Sequence, residues 1–348
     1  MTTDIDDLPR EILIRYLELC EKGEKHMANS EFRLAIDCFL EAMEITVPCE
    51  DTWGKIALCY MQSDEEEESV RALLRALKIN PDHVPTLHNL AMMLTDMNKL
   101  EEAEILIRRA LKQDDTMPDL WYRLGVILCH KEEYHEALES LQTAHDSGIR
   151  DAEIHRHLGI CFTNLQKAEE AEESFLQALN LAPGEIMPLL DYGRFLAEAK
   201  RYDEAEDYLR KAVAVRPDWH TAIICLADVL LRKVKSTDTP EDEALLIDEA
   251  DTLLKMAFPV AEHEGKTWFH LAEVAMLKQQ WDEAVKRSRR SIELGYRQPS
   301  VYTMIYHALK RSGRPVEAQM ALQECWRQRI QATATRLTDR DTEVRPSE

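Results

Sequence analysis

The chain has 348 residues, 45% of them hydrophobic and 31% charged, with 10 glycines and 13 prolines. This composition can bury a core, and it excludes collagenous, low-complexity and largely disordered chains; at about 150 residues per domain, the length suggests two domains. The net charge of −22 makes the chain as a whole a poor partner for DNA or an anionic membrane, so nucleic acid is not an expected ligand.

The first residues, Met1 to Asp7, are acidic and lack the apolar stretch of a secretory signal. No run of 18 apolar residues occurs, so no membrane-spanning helix is expected. The cysteines are scattered and none forms a CxxC pair. That favours reduced thiols in a cytoplasmic protein over a disulfide framework or a zinc site. A leading segment covers residues 1–15.

From Tyr16 the sequence repeats itself every 34 residues. Ala137, Ala171 and Ala205 share one phase, Gly125, Gly159 and Gly193 a second, and Pro81, Pro183 and Pro217 a third. Repeats start at Tyr16, Glu50, Val84, Pro118, Ala152, Ile186 and His220; after an 11-residue insertion they resume at Gly265 and Pro299. Each unit carries two apolar stripes at helical spacing, such as Trp121/Leu124/Leu128 and Ala137/Leu141/Ala144. Small residues recur where the two helices of a unit approach closely. No unit can bury its apolar face alone, so units must stack into a continuous core.

Trp53, Ile56, Ala57, Tyr60, Ser69, Leu73, Ala76 and Pro81 in repeat two, and His155, Leu158, Gly159, Phe162, Ala171, Phe175, Ala178 and Pro183 in repeat five, carry a known pattern. In them the chain resembles the tetratricopeptide repeat family across residues 16–332. The resemblance implies an all-α, right-handed α-solenoid of nine helix-turn-helix repeats forming a single domain. It also implies an inner groove lined by the first helix of each repeat.

The insertion near 236–246 reads as a loop in which Thr239 caps an early-starting second helix and Pro240 occupies its first turn. It is a tolerated surface insertion or a contact or phosphorylation site. After Pro315 the last helix is expected to run on to about Leu337 as a cap, with a disordered tail over 341–348 and residues 333–348 outside the repeats.

No phosphate-binding GxxxxGK, no GxGxxG, no HExxH and no GxSxG occurs, so no catalytic residue, metal or cofactor is assigned. His157 and Cys161 share a helix face and read as a buried thiol beside a partly exposed histidine. The groove positions implied by the resemblance hold Met27, Met61 and Met92, whose flexible thioethers suit varied apolar side chains. They also hold His88, Asn89, Tyr122, Arg123, Arg156, His157 and Arg194, donors spaced along adjacent helices that suit a peptide backbone or carboxylate. Asn89 and Arg123 match the carboxylate clamp of chaperone-binding members, but Gly54, Leu58 and Asp119 stand where the clamp has its other polar residues, which argues against a chaperone-tail adaptor.

Charge is uneven. Residues 286–340 carry a net +8, including Arg287, Arg289, Arg290, Arg311 and Arg314, whereas residues 1–285 carry −28. The basic patch reads as compensation of an acidic neighbour, a docking patch, or one half of a head-to-tail homo-oligomer contact. The expected function is a scaffold or adaptor that binds a protein or peptide partner in its groove. A chaperone-like holder of an apolar client and a regulatory subunit of an enzyme complex are the alternatives.

Overall fold

The computed structural model describes residues 9–45, 48–237 and 239–343, with side chains as far as residue 330. Among the described residues there are eighteen α-helices and no strand. The expectation for the tail falls in part on residues 344–348, outside the described residues; residues 341–343 are helical.

The helices come in pairs: α1 (Arg10–Ala28) with α2 (Phe32–Ile45), α3 (Glu50–Gln62) with α4 (Glu66–Ile79), α5 (Val84–Asp96) with α6 (Leu100–Gln113), and α7 (Pro118–His130) with α8 (Tyr134–Asp146). Then follow α9 (Ala152–Asn164), α10 (Ala168–Leu181), α11 (Ile186–Glu198) with α12 (Tyr202–Val215), and α13 (His220–Val234) with α14 (Pro240–Ala261). Last come α15 (Gly265–Leu277) with α16 (Trp281–Glu293), and α17 (Pro299–Arg311) with α18 (Pro315–Glu343). From α3 onward, every odd-numbered helix begins on a residue that starts a 34-residue repeat in the sequence. Helix α1 begins six residues ahead of its repeat, after Pro9, so part of the leading segment is helical.

The chain divides into two compact units, residues 1–178 and 179–348. In the first, α7 packs on α8 and on α9, α5 packs on α6 and on α7, and α6 and α8 each pack on the next first helix. The second is built the same way, with α13 touching α14 and α15, and α15 touching α16 and α17. Within each unit, these helix pairs therefore bury their apolar stripes against their partners and against the following pair.

The small residues do what their spacing predicts. Ala35, Ala103, Ala137, Ala171, Ala205, Ala250 and Ala284 are fully buried on the second helices. On the first helices the glycines receive the ring or branch of a residue sixteen places on. A Cβ on Gly23 would meet Phe39, on Gly125 Leu141, on Gly159 Phe175 and on Gly193 Leu209, each within 2.9 Å. These are sockets for large side chains.

The turn within each repeat has one form. Ser30, Asp64, Asn98, Glu132, Gln166, Lys200, Gln279 and Gly313 all have positive φ, at the same position of repeats one to six, eight and nine. The next residue donates its amide to the carbonyl five residues back, as Lys99 does to Leu94 (2.7 Å) and Lys167 to Phe162 (2.9 Å). This is a Schellman-type helix end. Seven of the eight positions carry residues that reach the left-handed region at some cost, so a low glycine count conceals a uniform turn.

Repeat seven departs from this form. Its turn bonds instead through Lys235 to Arg232 and Ser236 to Lys233. Helix α14 is 22 residues long; Thr239 accepts the Asp242 amide (3.2 Å) and Pro240 is its first residue. Thr239→Ala is expected to cost about 1 kcal/mol. Hydrogen exchange of the first turn of α14 checks this: faster exchange confined to that turn is the predicted result.

Candidate functional site

Three successive first helices of the first unit, α5, α7 and α9, bring most of the expected donors together. The Arg156 Nη2 donates to His157 Nε2 at 2.9 Å. Arginine only donates, so Nε2 must accept. Burial, reinforced by the Arg156 charge, pushes the His157 pKa well below its ordinary value, so the ring is neutral and its proton sits on Nδ1. That Nδ1 is buried and has no hydrogen-bond partner.

Two more atoms share this condition. Arg123 Nε and His88 Nε2 are buried without partners. Arg123 pairs with no carboxylate among the described residues, and its guanidinium lies 5.7 Å from the Tyr122 ring centre. The His88 pKa is lowered by burial and then by Arg123. Tyr122 meets His157 edge to face at 5.9 Å, and burial, with Glu153 nearby, pushes its phenol up to about 12. It stays a neutral O–H. Arg156 is buried and pairs with Glu153 (Nη2–Oε2 2.7 Å). The arrangement offers buried N–H donors that lack acceptors.

The remaining expected residues are placed differently. Asn89 is half-buried beside His88 on α5 and makes no hydrogen bond among the described residues. Met27, Met61 and Met92 are half-buried on α1, α3 and α5, and the first two pack against the core. Arg194 belongs to the second unit, is exposed, and reaches Asp191 at 3.6 Å. His157 is buried rather than partly exposed, and Cys161 contacts Cys129 instead.

The basic residues of the second unit mostly have carboxylate partners there. Arg287 pairs with Glu283 (2.9 Å), Arg289 with Glu317 (3.4 Å), Arg290 with Glu293 (2.9 Å) and Arg314 with Glu317 (2.7 Å). Arg311 is exposed and makes no ion pair among the described residues.

Sequence reading missed one group able to hold a metal. Asp228 on α13 and His270 and Glu273 on α15 place three ligand atoms within 4.8 Å of one another. Arg232 already engages both Asp228 oxygens (3.0 and 2.9 Å), which makes the group an ion-pair network. Its members come from two repeats, so no linear spacing signals it.

Inter-repeat ion pairs were missed as well. Lys131 binds Glu104 (2.6 Å), Lys233 binds Glu206 (2.9 Å) and Lys278 binds Asp251 (2.5 Å). In each, an acid on a second helix meets a lysine at the end of the next first helix, at the same two repeat positions. Burial acts to raise each carboxyl, but the lysine and a second cation, Arg108, Arg210 or Lys255, outweigh it and hold the pKa below the ordinary value.

Comparison with known proteins gives a consistent result. Family models described as tetratricopeptide repeat match residues 50–83, 72–105, 89–148, 131–186 and 186–229, together just over half of the chain. A human relative, protein O-mannosyl-transferase TMTC3, is 27% identical over 161 residues, covering 41% of this chain and 16% of its own length. The chain thus spans less than a fifth of that relative. The crystal structure of the APC/C hetero-tetramer Cut9–Hcn1 matches 84% of this chain and 55% of its own, at 15% identity and a TM-score of 0.63. A Parabacteroides merdae protein described as a tetratricopeptide repeat protein matches 75% of this chain and 98% of its own, at 15% identity and a TM-score of 0.57. No helix among the described residues is long and apolar enough to cross a membrane.

Proposed function

Since the chain belongs to the tetratricopeptide repeat family, a fold that serves as a protein-interaction scaffold, we propose that its first unit holds an extended protein segment along α5, α7 and α9. One observation carries the reading. His157 Nδ1–H and Arg123 Nε–H are buried donors without acceptors, beside His88 Nε2 on the preceding first helix. A buried donor left unmade costs about 1–3 kcal/mol, and backbone carbonyls or a carboxylate of a bound segment would remove that cost. Met27, Met61 and Met92 supply half-buried apolar surface on α1, α3 and α5 for side chains of the same segment. The partner is therefore an extended, partly apolar peptide rather than a folded surface, and the protein acts as an adaptor without chemistry of its own. The internal pairing of the basic residues supports charge compensation over a second docking patch or a head-to-tail contact.

The test is selection of peptides from a displayed random library on the full chain, followed by calorimetry. Arg123→Ala and His157→Ala are each expected to weaken selected peptides at least about ten-fold. Arg311→Ala should change nothing. Equal affinity for all three folded variants would remove the assignment to these helices.

A further inference from the structure

Cys129 at the end of α7 and Cys161 inside α9 place their sulfurs 3.2 Å apart. Theirs is the one thiol–thiol hydrogen bond among the described residues. Helices α7 and α9 are consecutive first helices in direct contact. Cys161 is fully buried, whereas Cys129 is only half-buried. A disulfide needs a sulfur separation of about 2.05 Å, so bonding asks for a closure of about 1 Å. Neither cysteine belongs to the donor set described above.

We propose that Cys129 and Cys161 are a covalent modification site: a peroxide converts them to an intrachain disulfide that staples repeat four to repeat five. The Cys129 thiolate attacks one oxygen of hydrogen peroxide and the O–O bond breaks. Cys129 becomes a sulfenic acid, and the departing hydroxide takes a proton to leave as water. The Cys161 sulfur then attacks the sulfenic sulfur, its proton leaves, the S–O bond breaks and a second water departs. Two thiols and one peroxide give one disulfide and two waters; both sulfurs are oxidised and the peroxide is reduced. A dithiol restores the pair. The order follows from the surroundings. The hydrogen bond with Cys129, and then burial, push the Cys161 thiol far up, so it resolves rather than initiates.

The staple closes a loop that includes all of α8, and it fixes the spacing of α7 and α9 one turn from His157. It therefore joins the covalent state of the chain to the helices that carry Tyr122, Arg123 and His157. The proposal stands on the sulfur geometry alone and does not depend on what those helices bind.

The experiment exposes the full chain to a few equivalents of hydrogen peroxide, alkylates the remaining thiols and maps the digest by mass spectrometry without reduction. The expected result is one dominant cross-linked pair, Cys129 to Cys161, two mass units lighter, with the other six cysteines alkylated. The melting temperature should rise by about 5 °C and fall back after dithiothreitol. Cys161→Ser should accumulate a dimedone-reactive Cys129 and no cross-link, with an unchanged circular dichroism spectrum confirming its fold. Three results would overturn the proposal: cross-links spread evenly among other cysteines, Cys129 oxidised while Cys161 of the native chain remains alkylatable, or a cross-linked chain that melts where the reduced chain does.

Discussion

Gly159→Val is expected to lose about 3 kcal/mol or more of folding stability, the largest effect of any single substitution considered. A Cβ at Gly159 would stand 2.8 Å from two carbons of the Phe175 ring and 2.9 Å from a third. Real Cβ atoms do not approach that closely, so one side must move. Phe175 is 2% exposed and has no space to retreat. Overpacking of a tight core costs about 1–3 kcal/mol, and a branched side chain adds to the displacement. Because each unit leans on its neighbours, the loss should spread to α7 and α8 rather than stay in one pair. Urea unfolding followed by circular dichroism measures it. Gly184→Ala is the control, because a Cβ there meets nothing within 4 Å. A Gly159→Val chain as stable as the Gly184→Ala chain would show that the sockets are not tight.

The second large effect is acid sensitivity. His88 and His157 have pKa values lowered below the ordinary 6.5. On unfolding they regain affinity for protons, so the unfolded chain binds more of them. Stability contributed by these rings is complete above pH 6.5 and is lost as pH falls through their folded values. Glu104, Glu206 and Asp251 act with the same sign lower down. Their pKa values lie below the ordinary 4.5 and 3.8, so their contribution is complete above those values and disappears as pH falls through the folded ones. Melting temperature should therefore fall in two stages, one beginning near pH 6.5 and one below pH 4.5. The triple variant Glu104→Gln, Glu206→Gln, Asp251→Asn should lose about 3 kcal/mol at pH 7. That is roughly 1 kcal/mol per site, a charged hydrogen bond discounted because the acids are 12–16% exposed. Below pH 4.5 the triple variant should also show a flatter curve than the native chain. Parallel curves at all pH values would refute the role given to these carboxylates.

The repeat architecture was legible because packing writes itself at fixed spacing. Small residues at two positions and large ones at a third recur every 34 residues, and nothing but a helix pair satisfies them all. The Schellman turns were not legible. Ser30, Asp64, Glu132 and Lys200 share a backbone conformation but no chemistry, since backbone bonds alone hold it. The site was legible by residue type only. Arg123, Arg156 and His157 stood at groove positions in the sequence, but Arg156 closing on Glu153 was not visible there. Nor was it visible that the His157 proton is forced onto Nδ1, because both depend on how two side chains turn. The contact of Cys129 with Cys161 was hidden by their different positions within their repeats, the twelfth and the tenth.

The ion pairs between repeats also make the order of the units a matter of chemistry. Repeats three, six and seven each carry on the second helix an acid that the next repeat answers with lysine. Repeat four instead presents Leu138, and repeat five carries Leu165 at the answering position, both turned toward the core. Removing repeat four, residues 118–151, would set Glu104 at a junction with Leu165, an acid facing a leucine. The units are alike in fold but keyed at their edges. At these seams whole repeats are not interchangeable, because each acid and its lysine must stay on neighbouring repeats.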